Sequence, residues 1–369
     1  MSRAESRRCT PVTENNWRAT PVIGYIRSVT LEGLDLTALD RHLRSIRIPR
    51  AGDLRAELIS GGRSNLTFLV SDDASKWVLR RPPLHGLTPS AHDMAREYRV
   101  VAALADTCVP VARAVTMRDD ASVLDAPFAV VHYVAGRVIR TSTDLETIGR
   151  DDIDGCVDAL IRVLADLHRV DPEAVGLNDF GRPDGYLERQ LRRWGSQWEL
   201  VRRPDDPCDR DVRRLHSTLA QAVPPQSRTS IVHGDYRIDN TIISTADPSV
   251  VLAVVDWEMS TLGDPLSDAA LMCVYRDPAM NLIVNMDAAW TSTMIPSADE
   301  LAHRYSVLSE QPLAHWPFYT SLAYFKLAII AAGIDYRSRM AGGEAAASDR
   351  AGEAVGPLIA AGLHALKAT

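Results

Sequence analysis

The chain has 369 residues, 46% of them hydrophobic and 24% charged. That is the composition of a folded globular protein, and the length suits two lobes better than one core. A net charge of −7 excludes a general nucleic-acid binder, because neutralising phosphates needs a basic excess, and no uninterrupted apolar run approaches the roughly 18 residues of a membrane span. The opening "MSRAESRRCT" has no apolar core and predicts a loose arm over 1–30 rather than a secretory signal. Five scattered cysteines (Cys9, Cys108, Cys156, Cys208, Cys273) form no C-x-x-C pair. They suit neither a zinc site nor a disulfide framework, and predict a cytoplasmic chain.

The first periodic segment is "DLTALDRHLRSI" (35–46). It places Leu36, Leu39, Leu43 and Ile46 on one helical face behind a capping Asp35. Three short strand-like runs follow, "LRAELISGG", "NLTFLVSD" and "KWVLRRPP", then a helix over 92–106 and two more strands, "VARAVTM" and "PFAVVHYV". Beyond Gly136 the pattern turns helical, as in "IDGCVDALIRVLADLHRV" (153–170). One β segment, "SVVLAVVDWE" (249–258), interrupts it. The fold class expected is α+β: a small strand-rich lobe over 31–135 and a large helical lobe over 136–369.

Within the second lobe, "IVHGDYRIDN" (231–240) gathers His233, Asp235, Arg237 and Asn240. Phosphoryl transfer needs a carboxylate to orient and deprotonate an alcohol, oxygen ligands for Mg²⁺, and donors for phosphate oxygens. Asp235 can be the base and Asn240 a neutral oxygen ligand. A second carboxylate, Asp256, lies 16 residues on from Asn240, and a hairpin between them would bring both together.

"HGDYRIDN" followed by "VVDWEMSTLGDPLSDAA" resembles the catalytic and metal-binding segments of the aminoglycoside phosphotransferase and choline kinase superfamily. "GGRSNLTF", "WVLRRPP", "REYRV" and "DFGRPDGYLERQLRRW" make the chain most similar to the branch of kinase-like domains linked to acyl-CoA dehydrogenases. The likeness covers roughly residues 35 to 335. It implies a protein-kinase-like two-lobe fold, ATP or GTP as phosphate donor and Mg²⁺ as cofactor. Asp235 is then the catalytic aspartate, with Asn240 and Asp256 the metal ligands. His233 braces the loop, and Arg237 either meets the γ-phosphate or faces solvent. In the first lobe Gly61, Gly62, Ser64 and Asn65 form the phosphate-facing turn, which alone could be any hairpin. Arg80 stands where protein kinases carry a lysine, and Glu97 pairs with it. "VVHYVAG" corresponds to the hinge, whose main chain from His132 to Val134 meets the adenine edge. Asp264 and Asp268 cap and pin the following helix, and His168 packs within its own.

The substrate is less legible. An aminoglycoside site should be acidic, whereas "YLERQLRRW" carries Arg189, Arg192 and Arg193. If that face meets the substrate it favours an anionic small molecule, such as a hydroxy acid or hydroxyacyl thioester; a solvated basic face is the other reading. A true aminoglycoside phosphotransferase and a non-catalytic nucleotide-binding module are the alternatives. Against a protein kinase, the only D-F-G, Asp179 to Gly181, precedes the proposed base. No nucleic-acid or membrane partner is expected, and a homodimer is left open.

Overall fold

A computed structural model describes residues 31–60, 65–84, 93–342 and 350–367. The chain divides into two compact units, one made of Met1–Cys108 with Ala112–Tyr133, the other of Val109–Val111 with Val134–Thr369.

The first unit holds α1 (Leu36–Ser45), β1 (Arg55–Ser60), β2 (Leu66–Ser71), β3 (Lys76–Arg81), α2 (Met94–Leu104), β4 (Ala114–Arg118) and β5 (Phe128–His132). Asp35 caps α1 by accepting from the N–H groups of Thr37 and Ala38, and Leu39 and Leu43 on one face are buried. The strands form one antiparallel sheet in the order β1-β2-β3-β5-β4. Successive strand residues point to opposite faces. Phe68, Val70, Trp77, Leu79, Phe128 and Val130 therefore share a core with Leu39 and Leu43. The same alternation separates two neighbouring arginines. Arg81 sits on the core side, buried, and donates to the carbonyls of Gly33 and Leu124. Arg80 takes the other face.

The second unit carries α3 (Ser142–Glu146), α4 (Arg150–Arg169), α5 (Tyr186–Val201), α6 (Asp209–Gln221), β6 (Ser230–Val232), β7 (Thr241–Ile243), β8 (Val251–Val254), β9 (Thr261–Gly263), α7 (Pro265–Val274), α8 (Ala279–Val284), α9 (Ala298–Ser309), α10 (Trp316–Ala341) and α11 (Val355–Ala365). Helix α10 packs against α5, α7 and α11. One 18-residue stretch of it has mean hydropathy 1.3 and is 67% buried inside the protein. By length and composition alone α10 could cross a membrane, although Thr320, Ser321 and Lys326 interrupt its apolar residues. Its burial is that of a core helix.

Two short ladders cross the helical unit, β6 with β9 and β7 with β8. The expected strand over 249–258 is cut to four residues because Asp256 adopts a left-handed backbone, φ 65°, and the chain enters a 3₁₀ turn. Among the described cysteines, Cys156, Cys208 and Cys273 are free thiols. Cys108 is disulfide-bonded, which corrects the expectation of an unbridged set. Pairing depends on how closely two Cα atoms approach in space, and sequence spacing does not report that.

Candidate active site

The segment after β6 is bonded on every side. The backbone N–H groups of His233 and Gly234 donate to the two carboxylate oxygens of Asp268, at 2.6 and 2.8 Å. Asp268 is buried on α7, so it pins this loop rather than only its own helix, as the sequence suggested. Burial opposes its charge, but His168 beside it and the Gly234 N–H hold its carboxyl below the usual range. His168 is buried and reaches Tyr305 Oη at 2.7 Å and Asp268 at 3.4 Å. Asp264 caps α7 by accepting from the Leu266 N–H and also binds Ser227 and Tyr319. Tyr236 donates to the Leu160 carbonyl of α4 at 2.8 Å. Gly234 has φ 83°, and a Cβ there would lie 2.7 Å from the Met259 carbonyl oxygen. Both facts require glycine at this turn.

His233 is fully buried against Trp257 and Tyr236. Its Nε2 lies 3.0 Å from the Val255 carbonyl oxygen, and its Nδ1 accepts the Asp235 N–H at 3.2 Å. Only the tautomer protonated at Nε2 satisfies both. The ring thus spans the two loops and has no nitrogen left for proton transfer. Asn240 and Asp256 come together through the β7–β8 hairpin: Thr241 pairs with Val254, and the Val255 N–H donates to the Asn240 carbonyl at 2.9 Å.

Asp235 is half-buried and gripped at both oxygens. Oδ2 accepts from Asn240 Nδ2 at 3.0 Å, and Oδ1 accepts from the Tyr275 hydroxyl. Tyr275 is buried, and burial together with the Asp235 charge pushes its hydroxyl well above the ordinary range, which keeps it a donor. Arg237 is not solvent-facing. Its Nε lies 3.5 Å from Asp235 and 3.3 Å from Asp239, and its guanidinium is 5.5 Å from the Tyr275 ring centroid. Burial works against its charge, but the two carboxylates more than offset this and raise its pKa. Asp239 is shifted up by burial. Lys326 of α10 completes the arrangement by donating to the Gly234 carbonyl at 2.7 Å.

In the first unit Arg80 on β3 donates to Glu97 on α2. Asn65 is buried at 3% exposure, and among the described residues neither atom of its amide finds a partner. Gly61, Gly62 and Ser64 lie outside the described residues. At His132 the backbone N–H is already used by the Arg113 carbonyl, at 2.8 Å. The Tyr133 N–H binds the Lys76 carbonyl at 3.0 Å. Val134, the first residue of the second unit after that crossing, makes no backbone bond among the described residues.

The three arginines of α5 differ in role. Arg189 donates to the carbonyls of Asp184 and Arg182 and closes that loop. Arg192 is exposed beside a hollow of about 640 Å³ that Arg182 and Glu188 also line. Arg193 lies 5.2 Å from the Trp194 ring. Tyr275, Lys326 and Asp239 were missed in the sequence. Tyr275 alone left a trace, since it follows Asp268 by seven residues and so shares its helical face.

Comparison with known proteins gives the family and the fold. The profile of the "Phosphotransferase enzyme family" matches residues 55–301, and the chain belongs to that family. It is 32% identical to acyl-CoA dehydrogenase family member 10 of Mus musculus over 321 residues, 86% of this chain and 30% of that protein. It is 30% identical to acyl-CoA dehydrogenase family member 11 of Homo sapiens over 335 residues, 90% of this chain and 42% of that one. The chain therefore spans less than half the length of these relatives. A crystal structure from Ralstonia eutropha, described as a candidate aminoglycoside phosphotransferase, superposes with TM-score 0.77 at 33% identity, covering 90% of this chain and 98% of that one. A thermostable mutant of the aminoglycoside phosphotransferase APH(4)-Ia, in ternary complex with AMP-PNP and hygromycin B, shares the fold at TM-score 0.58 and 14% identity, over 90% of this chain and 100% of that one. The fold is thus that of the aminoglycoside phosphotransferases, and the chain is a phosphotransferase by family.

Proposed function

We propose that the chain transfers the γ-phosphoryl group of ATP or GTP to a hydroxyl of a small, anionic molecule, a hydroxy acid or hydroxyacyl thioester. The observation that carries this reading is the grip on Asp235, with Asn240 on one oxygen and Tyr275 on the other. A carboxylate so held keeps lone pairs for one more donor, the acceptor hydroxyl. Asp235 orients that hydroxyl and takes its proton as the oxygen attacks phosphorus and the bond to the nucleoside diphosphate breaks.

The donor set fits Mg²⁺. The Asn240 nitrogen is committed to Asp235, which leaves its carbonyl oxygen. Asp256 adds a carboxylate across the hairpin, and hard oxygen donors of this kind suit that ion. The Asn240 side-chain oxygen and the Asp256 carboxylate would hold the ion, which would supply positive charge to the phosphate oxygens. Arg237 offers its guanidinium to the transferred group. Arg80 holds phosphate through forked donors in place of the usual lysine, and the Asn65 amide, unpartnered among the described residues, supplies another polar contact. Val134 offers a backbone donor and acceptor for the base edge.

The acceptor is read from charge. Lys326 and Arg193 stand about Trp194, close to the catalytic loop, and two cations repel the polycation that an aminoglycoside is. The test is turnover of ATP and GTP with Mg²⁺ against hydroxy acids, hydroxyacyl-CoAs and aminoglycosides, with Asp235→Ala as control. Acceptor-dependent release of ADP or GDP, lost by about 10³-fold in the variant, supports the reading. Efficient, saturable turnover of an aminoglycoside would overturn the substrate class. Nucleotide binding without turnover of any acceptor would favour a binding module.

A further inference from the structure

Lys326 is partly buried, yet its ammonium has no carboxylate partner among the described residues. It spends one of its three donors on the Gly234 carbonyl, at 2.7 Å. The acidic groups whose fields reach it are Asp268 and Asp235. Both are already engaged, Asp268 by two backbone N–H groups and Asp235 by Tyr275 and Asn240. The ammonium lies 5.8 Å from the ring centroid of Trp194, and the exposed guanidinium of Arg193 lies 5.2 Å from the same indole. Arg193 likewise pairs with no carboxylate among the described residues. A desolvated charge is costly without a counter-ion; that cost falls on Lys326, and the exposed Arg193 sets a second cation beside the same ring.

We infer that Lys326, Arg193 and Trp194 form an oxyanion subsite for the acceptor, next to the place where its hydroxyl meets Asp235. The placement of that hydroxyl rests on the function proposed above. The buried indole gives both cations a π face to lie against, and so places the two charges side by side. Arg237 is not the alternative receiver for this group, because the function proposed above gives its guanidinium, beside Asp235 and Asp239, to the transferred phosphoryl group. The oxyanion is the acceptor's own, from a free carboxylate or from the phosphates of a thioester carrier.

Calorimetric binding of 3-hydroxybutyrate, 3-hydroxybutyryl-CoA and the neutral 1,3-butanediol to the full chain separates these sources. The wild type should bind at least one of the two anionic probes at least tenfold more tightly than the diol. Arg193→Gln should remove most of that preference while MgATP affinity stays unchanged, and Lys326→Met should remove it as well. Arg193 is exposed, so its variant keeps the test valid if Lys326→Met fails to fold. The subsite is wrong if neither anion outbinds the diol, or if both folded variants keep the preference. It is also wrong if Lys326→Met weakens MgATP alone, which would assign the ammonium to the nucleotide. Charge-dependent binding without phosphoryl transfer would leave the subsite standing and sink the kinase reading. Turnover indifferent to both substitutions would do the reverse.

Discussion

Asp235 and Arg80 carry the two opposite charges on which the proposed phosphoryl transfer rests, and the chain secures them in different ways. Asp235 lies in a loop tied to α4 through Tyr236, to α7 through Asp268, to α10 through Lys326 and to the β7–β8 hairpin through His233. Arg80 is placed by strand alternation and by Glu97 on the next helix. The first arrangement is built by convergence of distant segments, the second by neighbours 17 residues apart. Damage to the first should reach the fold itself, whereas damage to the second should stay in nucleotide binding.

The sharpest test of that contrast is Asp268→Ala. It leaves two buried N–H groups at His233 and Gly234 without acceptors and strands His168. Removing one member of a buried, hydrogen-bonded charge network costs about 3–5 kcal/mol. Denaturant unfolding should show that loss, together with loss of turnover. If Asp268→Ala melts like the wild type, the loop is not fastened as described. Arg80→Met should behave otherwise, raising the KM for nucleotide by about 10–100-fold, the worth of a charged hydrogen bond. Its kcat should fall less. A variant that lost kcat with KM unchanged would place Arg80 outside nucleotide binding.

Tyr275→Phe refines the comparison within the catalytic loop. The substitution removes the hydroxyl that holds Asp235 Oδ1 but keeps the ring beneath Arg237. A drop in kcat of about tenfold is expected, with KM for nucleotide unchanged. Tyr275→Leu should add a rise in that KM, because Arg237 loses its support. Equal kinetics of the Phe variant and the wild type would show that Asn240 alone orients the base.

The same contrast explains what could be read in the sequence. The first unit was legible almost throughout because its signals are local: Asp35 before an amphipathic face, strands of alternating residues, Glu97 on the helix after Arg80. The hairpin joining Asn240 to Asp256 was legible from apolar runs flanking polar ends. Tyr275 and Lys326 were not, since they meet the loop from 40 and 92 residues away and nothing in local pattern marks them. That Arg237 is enclosed could be seen only once Asp239 and Tyr275 were placed around it.

The smallest effect concerns His168, which meets Asp268 and Tyr305 in the interior. Burial holds its imidazole below the ordinary value of 6.5, although Asp268 pulls the other way. The folded protein therefore takes up this proton less readily than the unfolded chain. As pH falls through about 6.5, the unfolded state binds more protons, and stability is lost with acid. Above that range the contribution is fully present. Melting temperature should thus decline from pH 7 to pH 5, and His168→Asn should lower it overall while flattening that part of the profile. The slope is the informative quantity, because a variant can be weaker from lost packing alone. An unchanged slope would mean that the proton goes elsewhere and that the buried histidine does not couple the catalytic loop to pH.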